Sequence, residues 1–397
     1  MSKKIVTLLD GTTMEVDSAV TMTLRDFLAP GIHNLRMCFG NIEGAQLDGN
    51  TVDAIHADLT AGEGLNLTQA KQLEENADVA FIGTQKNGPF DVSGDIARQW
   101  LKLPNPNGRP NSDVLRPWAN GLDVTRRPQD RWVVDFGCDL PLNDAALFEV
   151  PFAHVNQVVK RTRTNVRRDW HRTHWWLYGD ARPGLREKLS TLRRFIATAM
   201  VSKHRVFVWL PTCQIPENLC VAIARSDDVT FGVLHSRFHE LWALRMGTSL
   251  EDRPRYTPTT TFETFPFPEG LTPDLIPLNF SNPEADHIAT AAQALNALRD
   301  NWLNPPEWTD WVRTPEEEAA DYPSRPVAKS GHEADLKKRT LTNLYNARPA
   351  WLDNAHKTLD AAVAKAYGWP DYTPDMPDKE ILRRLLALNL ERAARQV

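Results

Sequence analysis

The stretch RPNSDVLRPWANGLDVTRRPQDRWVVDFG (residues 109–137) holds three Pro, two Trp and five Arg in 29 positions and closes on an apolar run. Proline fixes φ and lacks a backbone donor, so one helix cannot run through Pro110, Pro117 and Pro128. The Asn, Asp and Gly between them are turn formers. The pattern predicts rigid turns at the prolines, a buried strand over residues 132–136, and Arg116, Asn120, Arg126 and Arg127 facing outward. Two arrangements fit. A rigid Arg-lined edge positions a charged partner without paying loop-ordering entropy. Alternatively, Arg116 and Arg126 pair with Asp113, Asp123 or Asp130 inside the loop.

Outward from this stretch, residues 1–60 alternate short apolar runs with Gly/Asp/Asn turns and read as short strands plus a little helix. A Gly-rich break (residues 61–64) precedes a helical segment with Thr68 as N-cap. Residues 79–82 read as a strand, 94–103 as a helix stopped by Pro104, and 151–163 as a helix opening at its proline. Residues 182–203 look helical, 206–210 strand-like, and 229–241 pass from strand into helix. The Thr- and aromatic-rich run 256–267 reads as a strand closed by prolines. Beyond it, residues 286–303, 335–345, 350–367 and 378–394 all carry helical spacing, joined by a Pro/Glu-rich stretch over 304–331. The fold class expected is α+β: a mixed α/β region followed by a mainly α-helical C-terminal region. Apolar stripes in LDAAVAKAYGW and ILRRLLALNLERAA are read as core before partner surface.

The 397-residue chain has 42% hydrophobic and 24% charged residues, ordinary for a soluble globular protein. Its first apolar run is too short for a signal peptide, and no segment approaches the roughly 18 apolar residues of a membrane span. The four cysteines, Cys38, Cys138, Cys213 and Cys220, form no CxxC pair, which argues against a zinc module or disulfide scaffold. A cytoplasmic chain without a membrane partner is expected.

Net charge is −5, yet residues 155–205 hold 13 Lys/Arg against three acids. The segment KRTRTNVRRDWHRTHWWLYGDARPGLREKLSTLRR (residues 160–194) interleaves these cations with Trp and His. Guanidinium groups grip phosphates bidentately, and aromatic planes stack on bases or fill gaps between charges. Lys160, Arg161, Arg163, Arg167, Arg168, Trp170, Arg172 and Trp175 are the candidate nucleic-acid contacts, joined by Arg116, Asn120, Arg126 and Arg127. Six phosphate contacts would give a log K versus log salt slope of roughly −5. The competing reading is a solvated amphipathic segment whose cations offset acids elsewhere on the molecule.

No catalytic constellation is visible. Asn304-Pro-Pro306 resembles the loop by which amino-methyltransferases hold a flipped base. Here, however, Glu307 takes the aromatic position and no strand presents it, so it reads as a helix terminator. The fragment Asp135-Phe-Gly137 lacks the other loops of a kinase. HExxH, a serine elbow and a spaced ExK are all absent, and His171 and His174 sit among cations that repel divalent metals.

Taken together, residues 109–137, NLTQAKQLEENADVAFIG (residues 66–83), YTPTTTFETFPFP (residues 256–268) and the tail RTLTNLYNARPAWLDNAHKTLDAAVAKAYGWPD resemble a known family. It is the target-recognition and C-terminal helical regions of large bacterial adenine-specific DNA methyltransferases, the single-chain type IIG/IIL restriction–modification enzymes. The resemblance runs from about residue 32 to the end and implies three parts. These are a segment (1–60) like the last strands of a methyltransferase core, a DNA target-recognition domain (61–270) and a helical C-terminal domain (271–397). It implies double-stranded DNA as partner. Such enzymes carry an S-adenosylmethionine-binding catalytic domain with a Gly-rich loop, which this sequence lacks. The cofactor is therefore expected in that missing domain or in a separate methyltransferase partner chain, with none held here. The other readings are a truncated non-catalytic remnant, a helical protein-interaction module, or methylation through an unrecognised cofactor site.

Overall fold

The structure, a computed structural model, describes residues 65–247, 249–250, 253–275 and 282–396 and six short strands before them. The chain divides into two compact units, Met1–Ala70 and Lys71–Val397. In the first, β1 (Lys3–Thr7) pairs antiparallel with β2 (Thr13–Asp17), β3 (Met22–Thr23) with β4 (Arg36–Met37), and β5 (Ala45–Leu47) with β6 (Asn50–Val52). The Gly-rich break expected at residues 61–64 and Cys38 lie outside the described residues. Asn66, not Thr68, caps the short 3-10 turn Leu67–Gln69.

The second unit is α+β, built on two four-stranded sheets. The strands are β7 (Ala80–Ile82), β8 (Asp91–Ser93), β9 (Leu115–Ala119), β10 (Arg131–Val134), β11 (Arg194–Ala199), β12 (Phe207–Pro211), β13 (Ile215–Pro216) and β14 (Cys220–Ile223). One sheet has the order β13-β9-β10-β8 and the other β12-β11-β14-β7. The β9–β13 pair is parallel and the other pairs are antiparallel.

The opening stretch builds the centre of the first sheet. Buried Asn111 donates to the carbonyls of Trp100 and Leu103 (2.8 and 3.2 Å), closing the helix Gly94–Leu101, and accepts from Asn105. β9 follows, with Pro117 opposite Trp132 of β10. Between these strands the helix Gly121–Thr125 is closed by a reciprocal capping box of Asn120 and Asp123. Asp130, at φ +50, turns the chain into β10, and its carboxylate accepts from Arg98 at 2.7 and 3.2 Å. The strand was expected at 132–136 and runs over Arg131–Val134. Phe90, Trp118, Trp132, Phe136, Phe148, Trp175 and Tyr322 pack around it as one core cluster.

Three expected elements are corrected. Residues 182–203 split into a helix, Pro183–Ser190, and β11, five of whose six residues are buried. A strand covered on both faces has no period-two pattern, so Phe195–Ala199 extended the helical reading by apolarity alone. The run 256–267 is a π-helical turn over Pro258–Phe262, because the Thr261 hydroxyl bonds both the backbone N–H and the carbonyl of Thr257. Residues 229–241 are two helices, Asp228–His235 and Arg237–Met246. Ser236 ends the first and N-caps the second.

The C-terminal apolar stripes are core. Helices Pro283–Leu303 and Ala350–Ala366 bury Ile288, Ala292, Leu295, Leu352, Leu359 and Val363, and close on Gly232, where a Cβ would lie 2.7 Å from Ile288 Cγ2. Arg299 joins this layer to the sheets, donating to the Phe207 carbonyl (2.7 Å) and to His235 Nε2 (2.6 Å). Since Nε2 accepts there, His235 is neutral and its Nδ1–H faces the Phe231 carbonyl at 3.0 Å. Between the helical residues, β15 (Ser249–Leu250) pairs with β16 (Arg253–Pro254). The stretch read as a Pro/Glu-rich join contains a hairpin, β17 (Thr309–Val312) with β18 (Arg325–Ala328). Helix Asp378–Arg395 is anchored by buried Asn389, which bonds both backbone groups of Lys71 and the Thr264 carbonyl.

Asp360 supplies a pH-dependent element. Its carboxyl accepts the Arg237 N–H at 2.7 Å, and burial pushes its pKa up to about 7. An acid held more protonated when folded loses stability as pH rises from its unfolded value to its folded one, so the cost is complete above pH 7. Asp360→Asn keeps an acceptor for that N–H and removes the charge. Denaturant titration is expected to show a gain of about 2 kcal/mol at pH 8 that shrinks toward pH 4.

Candidate nucleic-acid interface

The helix Glu149–Arg163 ends in Lys160, Arg161 and Arg163, and the chain turns through Arg167 and Arg168 into a short helical turn, Asp169–Thr173. Lys160, Arg161, Arg167, Arg168, Trp170 and Arg172 are exposed together on this loop. Arg172 pairs with Asp169 at 2.5 Å, while Arg161, Arg167 and Arg168 have no side-chain partner among the described residues. Trp170 stacks on His174 (centroids 5.0 Å apart, planes at 14°), which leans on Trp176. The buried end of this ladder fixes the orientation of its exposed end.

Two predicted contacts on the same segment sit inside the protein. Arg163 is 1% exposed. Its guanidinium donates to the carbonyls of Lys86 (2.6 Å), Asn87 (3.2 Å), His174 (3.2 Å), Trp175 (3.3 Å) and Leu177 (2.6 Å). Burial without a carboxylate lowers its pKa to about 10, still charged at neutral pH. Trp175 is buried in the core, with Lys160 Nζ 4.9 Å from its ring centroid. His171 is also buried, and its pKa is lowered by desolvation, then by Arg163 and Arg168.

The residues of the opening stretch do not form one face. Asn120 was expected to face outward but is buried, since its side-chain oxygen accepts from Leu122 N and Asp123 N. Arg127 turns partly inward and donates to the Leu303 carbonyl and Asn304 Oδ1 at 2.9 and 2.7 Å, and burial lowers its pKa. Asn304 thereby ends the helix Pro283–Leu303, as expected for a terminator. Arg126 is exposed beside a pocket it shares with Lys203 and His204. Arg116 lines a cleft of about 580 Å³. The acids proposed as partners are taken by other groups: Asp113 by Arg109 (2.7 Å), Asp130 by Arg98, and Asp123 by the capping box.

Sequence reasoning missed Arg186, which grips Asp135 with both terminal nitrogens at 2.8 and 3.0 Å. The signal was the Asp135-Phe-Gly137 fragment directly after a strand, set aside because no kinase loops accompanied it. An S-adenosylmethionine cradle does not fit the described residues. β8 enters a helix through Gly94, but a Cβ there would lie 2.2 Å from Asp130 Oδ2, so a carboxylate already fills the space over that helix start. No described helix is long and apolar enough to cross a membrane.

Comparison with known proteins finds two likenesses. Residues 179–269 match the family model described as MmeI, target recognition domain. The fold is similar to that of a solved structure of the type IIL restriction–modification enzyme MmeI in complex with DNA, with a TM-score of 0.60 and 17% sequence identity. That superposition covers 88% of this chain and 40% of the enzyme, so the chain spans less than half of the length of the protein it resembles. No curated protein matches the sequence.

Arg163→Met is expected to lower unfolding free energy by about 3–5 kcal/mol, because buried carbonyls lose their donor. Arg163→Lys should recover less than half, since an ammonium cannot span the same carbonyls. Urea titration of the three proteins checks both.

Proposed function

We propose that this chain is the DNA target-recognition part of a restriction–modification-type adenine methyltransferase system, with duplex DNA as its partner. The observation that carries the reading is the loop of exposed, largely unpaired cations around Trp170, in a chain whose segment 179–269 matches a target recognition domain. Lys160, Arg161, Arg167, Arg168 and Arg172 contact phosphates, which supply affinity and register but no sequence information. Arg163 and Trp175 hold that surface in place from inside. Methyl transfer, and the S-adenosylmethionine it consumes, belong to a catalytic region beyond the residues described or to a partner chain.

The C-terminal helices turn Ile288, Leu295, Leu352, Leu359, Val363, Ile381 and Leu385 into the core, which favours recognition over a helical docking module. A non-binding remnant remains the reading that experiment must beat. With five exposed cations on phosphate, fluorescence anisotropy on a duplex should give a log K versus log salt slope of about −4. Replacing Arg167 and Arg168 with Ser should reduce its magnitude by about 2 without changing thermal stability. Absent or salt-independent binding by the native chain refutes the proposal.

The opening stretch gives a separable pair. Arg127→Ala is expected to cost about 1–2 kcal/mol of stability by freeing Asn304 and the Leu303 carbonyl. Arg126→Ala should leave stability unchanged and weaken duplex binding if that edge touches DNA. Paired melting and anisotropy measurements separate the two arginines.

A further inference from the structure

The cleft of about 580 Å³ is bounded by strand ends and loops of both sheets and by the helix Pro183–Ser190. Its volume falls in the roughly 300–1,000 Å³ range of small-molecule sites. Its charges are not equivalent. Asp135 is neutralised by Arg186, which is fully occupied because its Nε also donates to the Ala181 carbonyl at 2.6 Å. Asp113 is neutralised by Arg109. What remains is Arg193, exposed and without a side-chain partner among the described residues, and Arg116, whose described polar side-chain contact is to Tyr322. Asp321 at the rim is the one lining carboxylate without a described ion pair. Two under-used guanidiniums therefore face a largely neutralised cleft.

The rest of the lining has a different character. Phe136, Leu140, Leu185 and Leu189 give an apolar wall. Gln214 donates its amide N–H to the Trp118 carbonyl at 3.2 Å, which leaves its side-chain oxygen as an acceptor. The Thr212 hydroxyl donates to the Leu192 carbonyl at 3.2 Å and keeps its lone pairs. Cys213 adds no negative charge, because burial pushes its thiol up to about 11. Two guanidiniums without a carboxylate partner among the described residues, an apolar wall and side-chain oxygens free to accept match a ligand with an anionic ester at one end and a flat base bearing N–H donors at the other. Inorganic phosphate alone leaves the apolar wall unused.

We propose that this cleft is a nucleotide-binding site, with Arg116 and Arg193 on the phosphate and the base against Phe136 and Leu140 within reach of Gln214. The nucleotide is either free or one unit of a strand, and the chemistry of recognition is the same. The site is separate from the cationic loop and does not depend on duplex binding by that loop.

The test uses the full chain and follows alkylation of Cys213 by peptide mapping, together with calorimetric titration. Deoxynucleoside 5′-monophosphates are expected to bind saturably and to slow Cys213 alkylation, and inorganic phosphate or the free nucleosides to do so at least about tenfold less well. Arg193→Ala should weaken mononucleotide binding about tenfold with unchanged melting, since its side chain has no described partner to lose. Failure of every mononucleotide to bind by calorimetry at millimolar concentration overturns the proposal, as does equal affinity for native protein and Arg193→Ala. A single-stranded oligonucleotide that protects at lower concentration than mononucleotides assigns the ligand to a strand; protection by mononucleotides alone assigns it to a free nucleotide. Duplex anisotropy with the Arg167/Arg168 variant, run on the same preparation, reports on the loop independently.

Discussion

The Arg163 guanidinium, buried among main-chain carbonyls with no carboxylate beside it, is the constraint on which the cationic loop depends. Taking a guanidinium out of water is costly, and five carbonyl contacts offset that cost only if all of them are held in place together. Those carbonyls come from two places in the chain, the turn at Lys86 and Asn87 and residues 174–177, and meet a guanidinium on the end of one helix. The loop between Arg163 and His174 is thus clamped at both ends. Its exposed cations share one rigid base, and repulsion among them is opposed by that clamp instead of splaying the loop.

The same economy of charge recurs across the second unit. Arg98, Arg109 and Arg186 are each drawn onto a carboxylate, and Arg127 onto an amide and a carbonyl. A count of Lys and Arg over residues 155–205 therefore overstates the charge available to a ligand. What acts at the surface is the unpaired remainder, and among the described residues it includes the loop around Trp170, the pair Arg116 and Arg193 at the cleft, and single cations such as Arg126 and Lys188 elsewhere.

Much of the frame was legible. The helix opening at Pro183 and the apolar stripes at 286–303 and 350–367 are local patterns, and local patterns survive folding, whereas Asn120, expected to face outward, caps the helix Gly121–Thr125 instead. β11 was lost because a strand sandwiched between neighbours shows unbroken apolarity, which a helix pattern absorbs. The 256–267 segment was lost because its conformation depends on side-chain to main-chain bonds of Thr261 that no periodicity encodes. At the site, sequence identified the right segment but not the division of labour within it. Arg163 and Arg161 are two residues apart on one helix, and only the fold turns the first inward and the second outward.

That division bears on how recognition is distributed. The matched target-recognition segment 179–269 contains β11, β12 and one wall of the cleft, whereas the Trp170 loop precedes it in the chain. Phosphate contacts need only exposed cations on a stiff support, which many sequences provide. Discrimination among bases needs donors and acceptors held at fixed positions in a partly dry environment, where an unmade hydrogen bond is costly. The loop meets the first requirement. Gln214 and Thr212, each anchored to the main chain and each with a side-chain oxygen free to accept, fit the second. On the function proposed above, affinity and selectivity would be carried by different segments, and a substitution in one should leave the other's signature intact.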